Sequence, residues 1–188
     1  YTFMHNGGIG SFGKLKKDIV MSLSSDYYKN IQGTTDSEHA FMMFLNHLPK
    51  QMDKNSFVEP QILLKALKKT VVNILYLQKK LKLETESTLN FAISDGNTTL
   101  VSRIYINSKQ INETEKEKEA SSKSKAASLY FSCGSMWAKC SDEEYRMRHT
   151  NMNEDVVIIA SERLSMCYED WVEVPHNHIV LISNKTNV

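Results

Sequence analysis

The sequence predicts an α+β fold, and three features carry that prediction. Apolar residues recur at helical spacing through the first half of the chain. From Leu89 onward the period shortens to that of strands. Asp95-Gly96-Asn97 separates two such strand runs as a hairpin turn would. Helices followed by hairpin-joined strands make an α+β pattern, not a βαβ repeat.

The elements follow in order. Tyr1 to His5 reads as the end of a strand, and Asn6-Gly7-Gly8 as a turn, because asparagine and glycine tolerate positive φ. Leu15, Ile19 and Leu23 predict a helix over about residues 12–24. Thr35-x-x-Glu38 is a capping box, in which Thr35 caps a helix and Glu38 reaches back. That helix, Asp36 to about Leu48, buries Ala40, Phe41, Phe44, Leu45 and Leu48, and Pro49 ends it. A longer helix starts near Pro60, a good first-turn residue. Leu63, Leu67, Val71 and Ile74 lie on its apolar face, and Lys65, Lys68, Lys69, Lys79, Lys80 and Lys82 form a solvated face.

Leu89–Ile93 and Thr99–Tyr105 are the hairpin strands. Residues 107–126 are rich in Lys, Glu, Ser and Asn, cannot repay their ordering entropy, and are expected to form a mobile insert. Four more strands are expected: Ser128–Cys133, Asp155–Ala160, Trp171–Val174 and His178–Ile182. The Val156–Ala160 run is apolar throughout and predicts a central strand covered on both faces.

Composition narrows the function. The 188 residues have the length of one domain, and 41% hydrophobic and 24% charged residues are ordinary values. A net charge of +1 gives no field that would draw nucleic acid or an anionic membrane. The apolar runs fall short of a membrane span. Cys133, Cys140 and Cys167 are odd in number and loosely spaced, which fits a reducing compartment and a cytoplasmic location. No metal-ligand spacing stands out, so no metal and no cofactor is expected.

Two stretches carry candidate chemistry. Acyl transfer from an amide develops negative charge on the carbonyl oxygen, and the side-chain amide of Asn6 with the backbone N–H of Gly7 could stabilise it. Taken alone, a plain turn is the commoner use of Asn-Gly-Gly. Asp36, in a first helical turn, could clamp an ammonium, with Thr35 offering a hydroxyl beside it and Gly33 letting a ligand approach the backbone. The helix dipole alone also favours a carboxylate there. His5 is expected to pack, His39 to be a satisfied helix histidine, and His176 and His178 to serve structure.

These stretches together resemble the class II glutamine amidotransferase family of N-terminal-nucleophile hydrolases. His5-Asn6-Gly7, Thr35-Asp36-Ser37-Glu38 and Ser94-Asp95-Gly96 stand in the family's order. Ser128–Ser135, Glu144–Arg148, Asp155–Glu162 and Trp171–His178 look like the fungal amidotransferase subunits of glutathione-degrading complexes. The resemblance spans residues 1–188 except the insert. It implies a four-layer αββα sandwich, incomplete at the N-terminus. It also implies that Asn6 and Gly7 form an oxyanion hole and that Asp36 holds the α-amino end of a γ-glutamyl substrate, glutathione or glutamine, beside the expected substrate-binding Gly33 and Thr35. A metallopeptidase-like partner subunit is implied as well.

The family's nucleophile is an N-terminal cysteine. Residue 1 here is tyrosine, and the three cysteines do not take that place. The sequence is therefore expected to be a piece of a larger protein, without its nucleophile or a substrate-clamping arginine, and inactive by itself. An amidotransferase-like scaffold that has lost its chemistry is the alternative. Arg163 stands where relatives usually have proline and is expected to affect only a loop.

Overall fold

Alternation along the strands of one sheet decides the architecture, because odd and even residues feed two different cores. The computed structural model describes residues 1–50, 58–107, 127–140, 144–150 and 155–183. The elements are β1 (Thr2–Gly8), α1 (Phe12–Ser22), α2 (Ser25–Tyr28), α3 (Asp36–Asn46), α4 (Pro60–Lys80), β2 (Glu86–Ser94), β3 (Thr98–Arg103) and β4 (Tyr105–Asn107). They continue with β5 (Tyr130–Gly134), β6 (Met136–Lys139), β7 (Tyr145–Arg148), β8 (Val156–Ala160), β9 (Val172–Glu173) and β10 (His178–Ser183).

The main sheet runs β1-β2-β3-β10, with β4 also on β2, and all its pairings are antiparallel. On one face, Leu89, Phe91, Ile93 and Leu100 join Leu15, Ile19, Met43, Phe44, Leu63, Leu67 and Ile74 from the helices. On the other face, Ala92, Val101 and Val180 meet Leu129, Phe131, Ile159 and Val174. Those last residues belong to or flank a second sheet, ordered β8-β5-β9. The described residues thus build helices, sheet and sheet in three layers. The fold is α+β, as the sequence predicts, and three of the four expected layers stand among the described residues.

Local chemistry sets the helix ends. Thr35 Oγ1 accepts the Glu38 N–H at 3.3 Å, as a cap should. The other half of the capping box differs: the Glu38 carboxylate takes the N–H groups of Gln32 and Gly33, at 2.8 and 2.7 Å. It therefore ties down the loop before the helix instead of closing on Thr35. Pro60 occupies the first turn of α4. Lys65, Lys68, Lys69, Lys79 and Lys80 on α4 are exposed, and Lys80 pairs with Asp18 at 3.2 Å.

Two expectations change. Val156–Ala160 is not a central strand: β8 pairs only with β5 among the described residues, and all five of its residues are half-buried. An unbroken apolar run reports hydrophobic neighbours on each face, not a hydrogen-bonded neighbour on each side. Arg163 does more than fill a loop. Its guanidinium lies 4.6 Å from the Tyr130 ring centroid and 4.8 Å from that of Tyr168, joining β5 to the turn before β9. The hairpin of β6 and β7 and the short β4 are additions to the expected strands. The expected mobile insert at 107–126 lies outside the described residues apart from Asn107, which ends β4.

Candidate active site

The site is built where β1 ends and α3 begins. Asn6 is exposed, and Met4, two residues before it, is 68% exposed, so this side of β1 is open. Gly7 follows with φ +146, and a Cβ there would lie 2.1 Å from the Thr88 carbonyl oxygen. Only glycine fits, because both the backbone conformation and the approach of β2 forbid a side chain. The turn expected at Asn6-Gly7-Gly8 is instead the last part of a strand, paired in register with Asn90, Leu89 and Thr88.

Asp36 locks onto the end of that strand. Its Oδ2 accepts the Ile9 N–H at 2.8 Å, and a Cβ on Gly8 would lie 3.6 Å from the same oxygen. Its Oδ1 accepts the N–H of Ser37 at 2.8 Å and the Ser37 hydroxyl at 3.3 Å. An ionised carboxylate offers about four acceptor positions, so capacity remains for one further donor. Gly8 lies two residues along the strand from Asn6, about 7 Å. Asn6 and the place where the Asp36 carboxylate approaches Gly8 therefore lie about 7 Å apart along one strand.

The neighbours hold this arrangement. The half-buried His5 reaches Ser37 Oγ through Nδ1 at 3.0 Å and donates from Nε2 to the Thr88 carbonyl at 3.0 Å, so it joins β1, β2 and α3. Its ring packs 4.7 Å from Phe91. Gly10 donates to Ser87 Oγ at 2.9 Å, and the buried Gln78 donates from Nε2 to the same hydroxyl at 2.7 Å. Gln78 thereby anchors α4 under the strand end.

Gly33 and Thr35 are placed differently from Asp36. Both are exposed, and the Gly33 N–H and the Thr35 hydroxyl are both engaged with Glu38. They shape the loop that delivers Asp36. Gly33 also lines an open cavity of about 650 Å³ beside α1, with Lys16, Lys17, Lys29 and His39. His39 is fully buried and bonds through Nδ1 to the Thr35 carbonyl at 2.8 Å. Asn177, between the two histidines near the chain's end, uses Oδ1 to accept the Tyr105 N–H at 3.3 Å.

Sequence reasoning passed over Arg103. It is 7% exposed and crosses between the two sheets. Nη1 meets Glu173 at 2.7 Å and the Val174 carbonyl at 2.6 Å, while Nε donates to the Ala127 carbonyl at 2.9 Å. Its place two residues after Val101 on an alternating strand was the available signal. Among the described residues no three of His, Cys, Asp and Glu gather as a metal set, and no helix is long and apolar enough to cross a membrane. Cys133, Cys140 and Cys167 are in no disulfide among the described residues.

Comparison with known proteins bears on the fold and on the relationship of the chain. No family model matches the chain. The chain is 38% identical over 194 aligned positions to the probable glutamine amidotransferase DUG3 of Saccharomyces cerevisiae, a match that covers 98% of this chain. It spans half the length of that relative, 50%. A solved structure, a glutamine aminotransferase class-II domain protein from Silicibacter pomeroyi, superposes with a TM-score of 0.56 over 97% of this chain and 62% of that one. At 19% identity that likeness bears on the fold alone. Fold and sequence relationship point the same way: the chain is similar to class II glutamine amidotransferases in both.

Proposed function

We propose that the full-length protein hydrolyses a γ-glutamyl amide, glutathione or glutamine, and that this chain supplies the oxyanion and head-group parts of the site. The observation that carries the reading is the joining of Asn6-Gly7 to Asp36 through the Ile9 N–H. The Asn6 side-chain amide and the Gly7 N–H face the carbonyl oxygen as it becomes an oxyanion. Asp36 holds the α-ammonium. Gly33 and Thr35 set the loop that aims Asp36.

The nucleophile is an N-terminal cysteine thiolate supplied from outside this chain. It attacks the γ-carbonyl carbon, the C–N bond breaks, and the nitrogen leaves as an amine after taking a proton. Water then releases glutamate from the acyl-enzyme. A metallopeptidase-like subunit is the proposed partner, and the cytoplasm the proposed location. No metal or cofactor takes part in the steps assigned to these residues.

The test is glutamate release by the full-length protein with its native N-terminus, alone and with the suspected partner, from glutathione and from glutamine. Release that Asp36→Ala abolishes by raising KM, with the fold intact, supports the head-group assignment and identifies the substrate. No release from either substrate, despite a free N-terminal cysteine, would leave a non-catalytic amidotransferase-like scaffold as the better account.

A further inference from the structure

A second amide stands directly across the sheet from Asn6. In the antiparallel pairing of β1 and β2, Asn90 is the partner of Asn6. Opposed residues of such a pair leave the sheet on the same side, with Cβ atoms about 5 Å apart. Their settings differ: Asn6 is exposed, whereas Asn90 is 5% exposed.

The Asn90 side chain has a fixed orientation. Its Nδ2 donates to the Ala127 carbonyl at 3.3 Å. That carbonyl also accepts from Arg103 Nε at 2.9 Å, and Arg103 is anchored in turn by Glu173 and Val174. With the nitrogen committed, the Oδ1 of Asn90 is left as a buried acceptor with no hydrogen-bond partner among the described residues. A buried acceptor without a donor is destabilising, because it has given up water and gained nothing in return. A ligand that brought the donor would recover that cost.

A scissile amide has two edges. Its oxygen calls for donors and its N–H calls for an acceptor. In a trans amide these groups point in opposite directions, which suits a ligand lying between two facing side chains. We propose that Asn90 binds the nitrogen edge of the substrate: Oδ1 accepts the N–H of the γ-glutamyl amide while Asn6 donates to its carbonyl oxygen. This rests on the hydrolase reading above and adds a specificity to it. The pair Asn6–Asn90 selects amides over esters, because an ester has no N–H to offer Asn90.

The experiment compares two reactions on one preparation of full-length protein: glutamate release from its γ-glutamyl amide substrate, and from the γ-methyl ester of glutamate. Asn90→Ala is expected to lower kcat/KM for the amide about ten- to a hundredfold and to leave the ester within about threefold. Only folded molecules cleave either compound, so the ratio does not depend on the folded fraction. If Asn90→Ala does not fold, Asn90→Ser replaces it. Asn90→Asp, which keeps the acceptor, is expected to retain more of the amide-to-ester ratio than Asn90→Ala. Equal losses on both substrates, or an unchanged ratio, would overturn the inference while leaving the hydrolase reading intact. A wild-type protein that cleaves neither compound would overturn both.

Discussion

The two faces of the main sheet use the same strands for different ends. Toward the helices, Phe91 is 1% exposed and Leu89 and Leu100 are fully buried, in a broad apolar core. Toward the second sheet, the apolar cluster is small, and polar Asn90 and Arg103 lie on the same side as Val101. One pleat thus sends stabilising residues one way and polar, orienting residues the other. Substitutions on the two faces should separate: the helix side should lose stability, and the other side should lose activity or sheet-to-sheet registration.

Phe91→Ala tests the helix side most severely. Phe91 packs against Phe3 and His5, with ring centroids 5.2 and 4.7 Å away. Its removal is expected to cost about 3–5 kcal/mol in urea unfolding of the chain. A loss below about 1 kcal/mol would mean that this core is loosely packed. Asn6→Ala is the matching test of the open side. It should lower kcat of the full-length protein about 10²–10³-fold, with the unfolding midpoint unchanged. A drop in stability of similar weight would make Asn6 a structural residue.

Arg103→Leu sharpens the comparison, because it touches the second sheet without touching Phe91. It takes the Arg103 donor from the Val174 carbonyl and leaves the Ala127 carbonyl to Asn90. The expected cost is about 1–3 kcal/mol, and hydrogen exchange should quicken in β5 and β9 before β2. Uniform quickening would mean that the two sheets open as one unit.

The smallest effect concerns acid. Burial, reinforced by Lys69, holds His47 below its ordinary value of 6.5, and Asn73 donates to its Nε2 at 3.2 Å. The folded imidazole therefore takes up a proton less readily than the unfolded one. Below about pH 6.5 the unfolded chain binds the extra proton, so stability should fall as pH falls through that range. His47→Gln should flatten this slope in melting curves; an unaltered slope would assign the acid sensitivity to other groups.

The helices were legible because periodicity, the cap at Thr35 and Pro60 agree with one another. The hairpin around Gly96 was legible for the same reason. Burial of β8 was misjudged because a run such as Val156–Ala160 records apolar contact and not strand order. Asn6, Gly7 and Asp36 stand out in the sequence as types at a spacing. Their link through the Ile9 N–H is a contact across 27 positions, and no local pattern encodes it. Asn90 was hidden by normality, since a polar residue at alternate strand positions is what a half-buried sheet shows. Arg103 was hidden likewise, its burial following from carbonyls that only the second sheet brings near.

His5, Ser37 and Asp36 form one chain of contacts from β2 to the start of α3. Nε2 of His5 donates to the Thr88 carbonyl, Nδ1 meets the Ser37 hydroxyl, and that hydroxyl stands 3.3 Å from Oδ1 of Asp36. The carboxylate is therefore aimed by strand and helix together, so a displacement of β2 would reach it through two side chains.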